Sequence, residues 1–240
     1  MVTVDYVVVG AGYAGLMCGK KLTEKGLNTL IFEMRESGGE LVVFSKLDYF
    51  REKYEKYIKE VEELKSLLSV EKGTVIKSKP VIVSGENGLK RLDARKVLIC
   101  TGAADLLPLK LNFLRKKMNG IYTLDNALRL IAEKNRIGEK ILIAAKNEEV
   151  VKIAEQLFLS LNYNVETVEI SGEINVFGKE RVESVEAGGE NFKCDTLVIY
   201  KGREAFNPLK LRGTPVGNIV TCTYNYSKVE SNVKNFLAKL

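Results

Sequence analysis

The stretch Asp5–Glu33, DYVVVGAGYAGLMCGKKLTEKGLNTLIFE, decides the fold. Asp5 to Val9 is a short apolar run rich in β-branched residues, which predicts a buried strand. Gly10-Ala11-Gly12-Tyr13-Ala14-Gly15 follows at once. A helical stretch then runs from about Ala14 to Lys25, with Leu16, Gly19, Leu22 and Thr23 able to share its buried face. Gly26 is a natural stop, and Leu27 to Phe32 reads as a second strand ending in Glu33. Each part has a physical job in holding a dinucleotide. Gly10 permits the tight turn out of the strand. Gly12 has no side chain, so a pyrophosphate can approach the backbone. Gly15 lets the helix pack close to the strand, and the helix tip offers free N–H groups and partial positive charge to phosphates. Glu33 lies 33 − 12 = 21 residues beyond Gly12, where a carboxylate can accept hydrogen bonds from ribose hydroxyls. It would also repel a 2′-phosphate, which argues against NADP at this site. Arg35 reads equally well as a phosphate or adenine contact and as plain surface.

Composition narrows the chemistry. With 240 residues, the chain allows one large domain or two small ones, at roughly 100–200 residues per domain. Hydrophobic residues make up 45% and charged residues 28%, as in a folded chain. The uncharged stretch Tyr6–Gly19 has 14 residues, four of them glycine, against the roughly 20 needed to span a bilayer. No basic segment precedes it to make a signal peptide. The expectation is a soluble, cytoplasmic protein with no membrane span. Lys and Arg total 37 and Asp and Glu 31, for a net charge of +6. The bases are interleaved with acids, as in Lys53-Tyr54-Glu55-Lys56, which describes a solvated surface and no nucleic-acid partner. The sequence contains no His, so a Ser-His or Cys-His pair and a His-ligated metal site are excluded, and no metal is expected. Cys18, Cys100, Cys194 and Cys222 form no CxxC or CxxxxC pair, and are read as buried small hydrophobes.

Further along, Asp48 to Leu68 reads as one amphipathic helix, with Phe50, Tyr54, Tyr57, Val61, Leu64 and Leu68 at spacings of three and four. Thr74 to Val83 looks extended, with Pro80 at an edge or bulge, and Gly85-Glu86-Asn87-Gly88 is a hairpin-type turn signal. Val97-Leu98-Ile99-Cys100-Thr101-Gly102 is an apolar run stopped by glycine, with Pro108 beyond it.

Asp5 through Glu40 resembles the FAD-binding fingerprint of the pyridine nucleotide–disulfide oxidoreductase superfamily. The resemblance includes Gly19, four residues after Gly15, and the pair Gly38-Gly39. It implies FAD at the N-terminal site, with the acid on the adenosine ribose. The run ending in Cys100-Thr101-Gly102, with Pro108, is similar to the family's second signature, Ala-Thr-Gly with a downstream proline, where the backbone passes close to FAD. Cys100 replaces the usual Ala. From Asn119 the family begins a second, nicotinamide-binding domain. Lys140 to Ile143 and Glu148 to Leu161 match its strand and helix, but Ala144-Ala145-Lys146-Asn147-Glu148-Glu149 has lost every glycine of the turn. Side chains occupy the pyrophosphate space there, and two acids at the helix tip repel phosphate. Val176 to Val185 reads as a hairpin. Phe192 to Ile199 resembles the segment that ends this domain, and Gly202-Arg203 with Asn207-Pro208 resembles the crossover back. Gly217 to Thr223 aligns with the last flavin motif, which normally ends Ala-Gly-Asp, so that Cys222 replaces glycine and Thr223 the aspartate that touches the ribityl chain. Ser227 to Leu240 reads as a closing helix with Ser227 as its N-cap. The chain stops where family members continue into an interface domain, and it lacks the paired cysteines of the disulfide reductases.

The expected fold is α/β, two interleaved Rossmann-like domains: residues 1–110 plus 206–240 for FAD, and 111–205 as an NAD(P)-binding-like domain. The candidate cofactor contacts are Gly10, Gly12, Tyr13, Ala14, Gly15, Glu33, Met34, Arg35, Gly39, Val81, Thr101, Gly102 and Thr223, and no catalytic residue is assigned. The expected function is that of an FAD-dependent flavoprotein oxidoreductase, or the flavin-carrying subunit of a dehydrogenase, as some family members are. Its partners would be a small substrate or a redox subunit, in a homo- or hetero-oligomer. The alternatives are a noncatalytic assembly subunit with structural FAD or none, and an NAD-dependent dehydrogenase using the first site.

Overall fold

The computed structural model describes residues 2–106, 118–170 and 173–240; Pro108 lies outside them. Along the chain run β1 (Val2–Val9), α1 (Tyr13–Glu24), β2 (Thr29–Glu33), α2 (Glu40–Phe44), α3 (Asp48–Lys53), α4 (Glu55–Leu67), β3 (Glu71–Lys72), β4 (Thr74–Ser78), β5 (Val81–Gly85), β6 (Gly88–Ile99) and β7 (Ala103–Asp105). There follow β8 (Ile121–Thr123), α5 (Leu124–Ala132), β9 (Lys140–Ala145), α6 (Glu149–Ser160), β10 (Asn164–Glu169), β11 (Ile174–Gly178), β12 (Val182–Ala187), β13 (Glu190–Phe192), β14 (Thr196–Tyr200) and β15 (Arg203–Ala205). The chain closes with β16 (Thr214–Pro215), α7 (Asn218–Thr221) and α8 (Tyr226–Leu237). No described helix is long and apolar enough to cross a membrane.

The chain divides into two compact units, residues 1–45, 54–104 and 204–240, and residues 46–53 and 105–203. Residues 46–53 therefore group with the second unit, whereas the sequence reading placed them in the first. Both units are α/β and Rossmann-like.

In the first unit the sheet order is β3-β2-β1-β6-β5-β4, with β16 also on β6. β1 pairs in parallel with β2 and with β6, so Val9 lies beside both Phe32 and Ile99 and the three strands end at one edge. β4, β5 and the first part of β6 form an antiparallel meander, closed at Gly85 and Gly88 as the turn signal predicts. The stretch read as extended from Thr74 to Val83 turns back at Lys79-Pro80. Val4, Val7, Val9, Phe32, Val83, Leu92 and Ile99 build one core cluster. Burial of each such side chain contributes roughly 1.5–3 kcal/mol. α1 lies so close that a Cβ on Gly19 would sit 2.3 Å from the Ile31 Cδ1, which explains the fourth glycine. Leu16 and Leu22 are fully buried on this helix, while Thr23 is exposed and donates its hydroxyl to the Gly19 carbonyl.

The helix read from Asp48 to Leu68 is two helices, broken at Tyr54 (φ −108°, ψ 16°). The buried Tyr54 ring stacks on Phe44 and its hydroxyl donates to the Tyr224 carbonyl. α8 is capped by Asn225, whose side chain accepts from the Ser227 N–H, rather than by Ser227 itself.

The second unit has a parallel sheet in the order β10-β9-β14-β8, with the β11-β12-β13 meander beside it in the chain. Val176–Val185 lies in the β11–β12 hairpin, as the sequence predicts. Leu142, Ala144, Val185, Leu197 and Ile199 share its core.

Candidate functional site

The parallel strands of the first unit deliver four chain turns to one sheet edge. The first is Gly10–Gly15, between β1 and α1. Gly10 has φ +98°, and a Cβ there would lie 2.6 Å from the Cys100 carbonyl oxygen. A Cβ on Gly15 would lie 1.9 Å from the Gly10 carbonyl oxygen, so helix and strand meet at a spacing only glycine allows. Gly12, the N-cap of α1, differs: a Cβ there would meet only the Gly39 Cα, at 4.0 Å. Its glycine is not demanded by the protein's own packing. No side chain caps α1 and no acid stands in its first turn, so the tip keeps its partial positive charge and its N–H groups.

The second turn follows β2. The Glu33 carboxylate accepts from the Ala11 N–H at 2.8 Å and from the Arg35 N–H at 2.9 Å. It thus fastens the glycine turn to the strand end, a role the sequence reading missed. Met34 and Arg35 beside it are exposed. Gly38 donates its N–H to the Ala11 carbonyl at 2.7 Å, and Gly39 has φ +62° at the start of α2. A Cβ on Gly39 would come within 3.2 Å of the Gly12 Cα, so this pair keeps both faces bare.

The third turn is Thr101-Gly102. The Thr101 hydroxyl donates to the Phe206 carbonyl, and Phe206 returns its N–H to the Gly102 carbonyl at 3.0 Å. Gly102 has φ +79° and open space where a side chain would be. Cys100, just before it, is buried and hydrogen-bonded to the Cys18 thiol; that bond, with burial, raises its pKa well above the usual thiol value, so it serves as a small neutral group.

The fourth turn follows β16 and brings Gly217-Asn218, rather than the expected Thr223, to this edge. β16 runs parallel to β6, with Thr214 beside Leu98 and Pro215 beside Ile99, and Val216 donates its N–H to the Ile99 carbonyl at 3.0 Å. Gly217-Asn218 therefore leaves this strand end beside Cys100-Thr101. Gly217 has φ +81°, and a Cβ on it would lie 2.2 Å from the Ala14 Cβ. Asn218 is buried, and its Oδ1 accepts from the Thr221 hydroxyl at 3.0 Å and the Thr223 N–H at 2.9 Å. Thr223 comes only after the helical turn α7, and its hydroxyl accepts from the Asn225 N–H at 3.0 Å. Cys222 takes the left-handed conformation (φ 46°) as the C-cap of α7. The signal for Asn218 was Thr214-Pro215-Val216 followed by Gly-Asn, an extended run stopped by glycine.

One expected contact lies elsewhere, and another turns its side chain away. Val81 pairs with Leu92, which pairs with Val2, so it sits at the amino end of β1, at the opposite edge of the sheet from Gly10. Its side chain is core. At the end of β2 the neighbouring chain is Lys72-Gly73, whose Gly73 N–H donates to the Glu33 carbonyl at 2.8 Å. Tyr13 turns its ring inward, edge-on to Tyr57 and Tyr226, and donates its hydroxyl to Glu60 at 2.7 Å. Burial first, and then Glu60, raise its pKa far above the phenol value. Only the main chain of Tyr13 and Ala14 is left to face a ligand.

The model of the family described as pyridine nucleotide-disulphide oxidoreductase matches residues 4–151. No curated protein matches the sequence. Among solved structures the chain is similar to L-proline dehydrogenase from P. horikoshii, at 24% identity and TM-score 0.66, covering 86% of this chain and 44% of that one. It is also similar to histamine dehydrogenase from Rhizobium sp. 4-9, at 12% identity and TM-score 0.67, covering 100% of this chain and 44% of that one. T. acidophilum thioredoxin reductase matches at 17% identity and TM-score 0.54, with 98% of this chain and 95% of that one covered. At these identities the likeness is one of fold, and this chain spans less than half the length of either dehydrogenase.

Proposed function

From the premise that this chain belongs to the pyridine nucleotide-disulphide oxidoreductase family, we propose that it is an FAD-dependent oxidoreductase, or the flavin-carrying subunit of a dehydrogenase, with FAD in the first unit. The observation that carries this reading is the bare space at Gly12 under an uncapped helix tip. A diphosphate there gains the N–H groups of α1 and the main chain of Gly39 opposite. Glu33 has lone pairs to spare beyond its two backbone bonds, and these fit ribose hydroxyls. Thr101-Gly102 supplies bare backbone for the ring end. Val216-Gly217-Asn218 supplies the counterpart of the family's Ala-Gly-Asp, with a carboxamide in place of the carboxylate. When bound, the flavin would supply hydride transfer at its N5, so the protein needs to orient rather than to perform that chemistry. The chain's own part is to hold the main-chain donors rigid and dry, through the Glu33 clasp and the paired turns at Gly12 and Gly39.

For substrate, a small amine or amino acid comes first, by analogy with the two dehydrogenases of similar fold. The visible spectrum of the purified protein tests the cofactor: a band near ~450 nm is the flavin signature. Colourless protein with no flavin by mass spectrometry overturns the reading.

A further inference from the structure

We propose that the second unit takes no pyridine dinucleotide, because its own side chains fill the place of the diphosphate. The unit repeats the β-turn-α geometry at β9 and α6, and the turn opens at the carboxyl edge of a parallel sheet. That edge is where such a sheet binds its ligand. The strand ends and N-caps fix the register: Ala145 ends β9 beside Tyr200 as Val9 ends β1 beside Ile99, and Glu148 caps α6 as Gly12 caps α1. Lys146, Glu148 and Val151 therefore stand where Gly10, Gly12 and Gly15 stand, two residues beyond the register Ala144–Glu149 expected from the sequence.

Each replacement is held in position. The N-cap of α6 is Glu148, whose carboxylate accepts the Tyr200 hydroxyl at 2.8 Å. Tyr200 is the buried last residue of β14, opposite Ala145, and its carbonyl accepts the Lys146 N–H at 3.0 Å. The turn is thus tied to the neighbouring strand by main chain and side chain together. Glu149, in the first turn of α6, forms an ion pair with Lys53 of α3. The Lys146 ammonium lies 3.9 Å from the position a Cβ would take on Gly202, so its side chain lies along the turn. No side chain caps α6 either, but a carboxylate stands at its N-cap, Glu148, and another in its first turn, Glu149, where α1 has Gly12 and no acid. A diphosphate would have to displace Glu148 from Tyr200 and then remain beside two acids.

If the flavin reading holds, electrons reach the cofactor from an organic substrate or a redox partner and not from NADH or NADPH. That consequence rests on the proposed function; the binding statement does not. Both are tested by titrating the protein as purified with NADH and NADPH, following nicotinamide fluorescence and the visible spectrum. The expected result is no saturable binding up to about 1 mM, a free energy of roughly −4 kcal/mol, and no bleaching. Saturable binding that disappears in Lys146→Glu, an exposed position, overturns the proposal. Binding that survives Lys146→Glu and disappears in Gly12→Val belongs to the first turn. It would sink the flavin assignment while leaving the second unit without a dinucleotide.

Discussion

Gly12 and Gly15 stand three residues apart in one motif, yet they are glycine for opposite reasons. At Gly12 the protein leaves space that its own packing does not use; at Gly15 it leaves none. Gly12→Val should fold with little change in melting temperature and lose flavin. An occupancy reduced by less than tenfold, about 1.4 kcal/mol, would show that nothing approaches that backbone. Gly15→Ala should behave the other way round. Its methyl would press on the Gly10 carbonyl, and overpacking of this kind costs about 1–3 kcal/mol, read as a lower denaturation midpoint. Glu33→Ala combines both effects, because the carboxylate is an acceptor for Ala11 and Arg35 before it meets any ribose. It should lose about 1–3 kcal/mol of stability along with affinity. Undiminished stability would show that the clasp contributes nothing. The glycines were legible as residue types, since each removes a specific clash. The clasp was not, because one carboxylate satisfies either reading at the same spacing.

At the scale of elements, α1, α4 and α8 show what pattern reveals and what it hides. The apolar spacing from Phe50 to Leu68 passes smoothly through Tyr54, with no Gly or Pro to mark the break. A tertiary contact, the Tyr54 hydroxyl on the Tyr224 carbonyl, overrides local propensity there. The fourth turn was missed for a related reason: β16 is only two residues long, too short for a period, so Gly217-Asn218 lost its strand context. α4 and α8 also carry an electrostatic link. Glu230 pairs with Lys234 on its own helix and with Lys56 at 2.8 Å, and these bonds pull its pKa down to about 2 from the ordinary 4.5. With the folded value lowered, the unfolded chain binds the extra proton first. The contribution is complete above about pH 4.5 and is lost as pH falls toward 2. Glu230→Gln should lower stability at pH 7 and flatten the pH dependence within that window. An unchanged acid limb in denaturant titrations would show the pairs to be idle.

At the scale of the whole molecule, two sheets present the same strand–turn–helix edge with opposite chemistry. The sequence shows both turns, because glycine loss and paired acids are visible without coordinates, but it sets the second two residues early: Ala144 and Ala145 belong to β9 and the turn is Lys146–Glu148. It does not show that residues 46–53 belong with the second unit, since that grouping depends on α3 packing with α6 rather than on any local pattern. The two edges together make a prediction about stoichiometry. One bare helix tip and one filled tip allow one dinucleotide per chain. Saturating FAD at about 100 times its dissociation constant should stabilise the protein by about 2.7 kcal/mol, and amide exchange should locate the gain. Slowed exchange is expected at Gly10–Gly15 and at Gly38-Gly39, whose N–H groups would face the ligand. The corresponding amides at Lys146–Val150 should exchange at the same rate with and without FAD. Two flavins per chain, or equal protection of both turns, would mean that Glu148 and Glu149 yield to a diphosphate despite Tyr200 and Lys53.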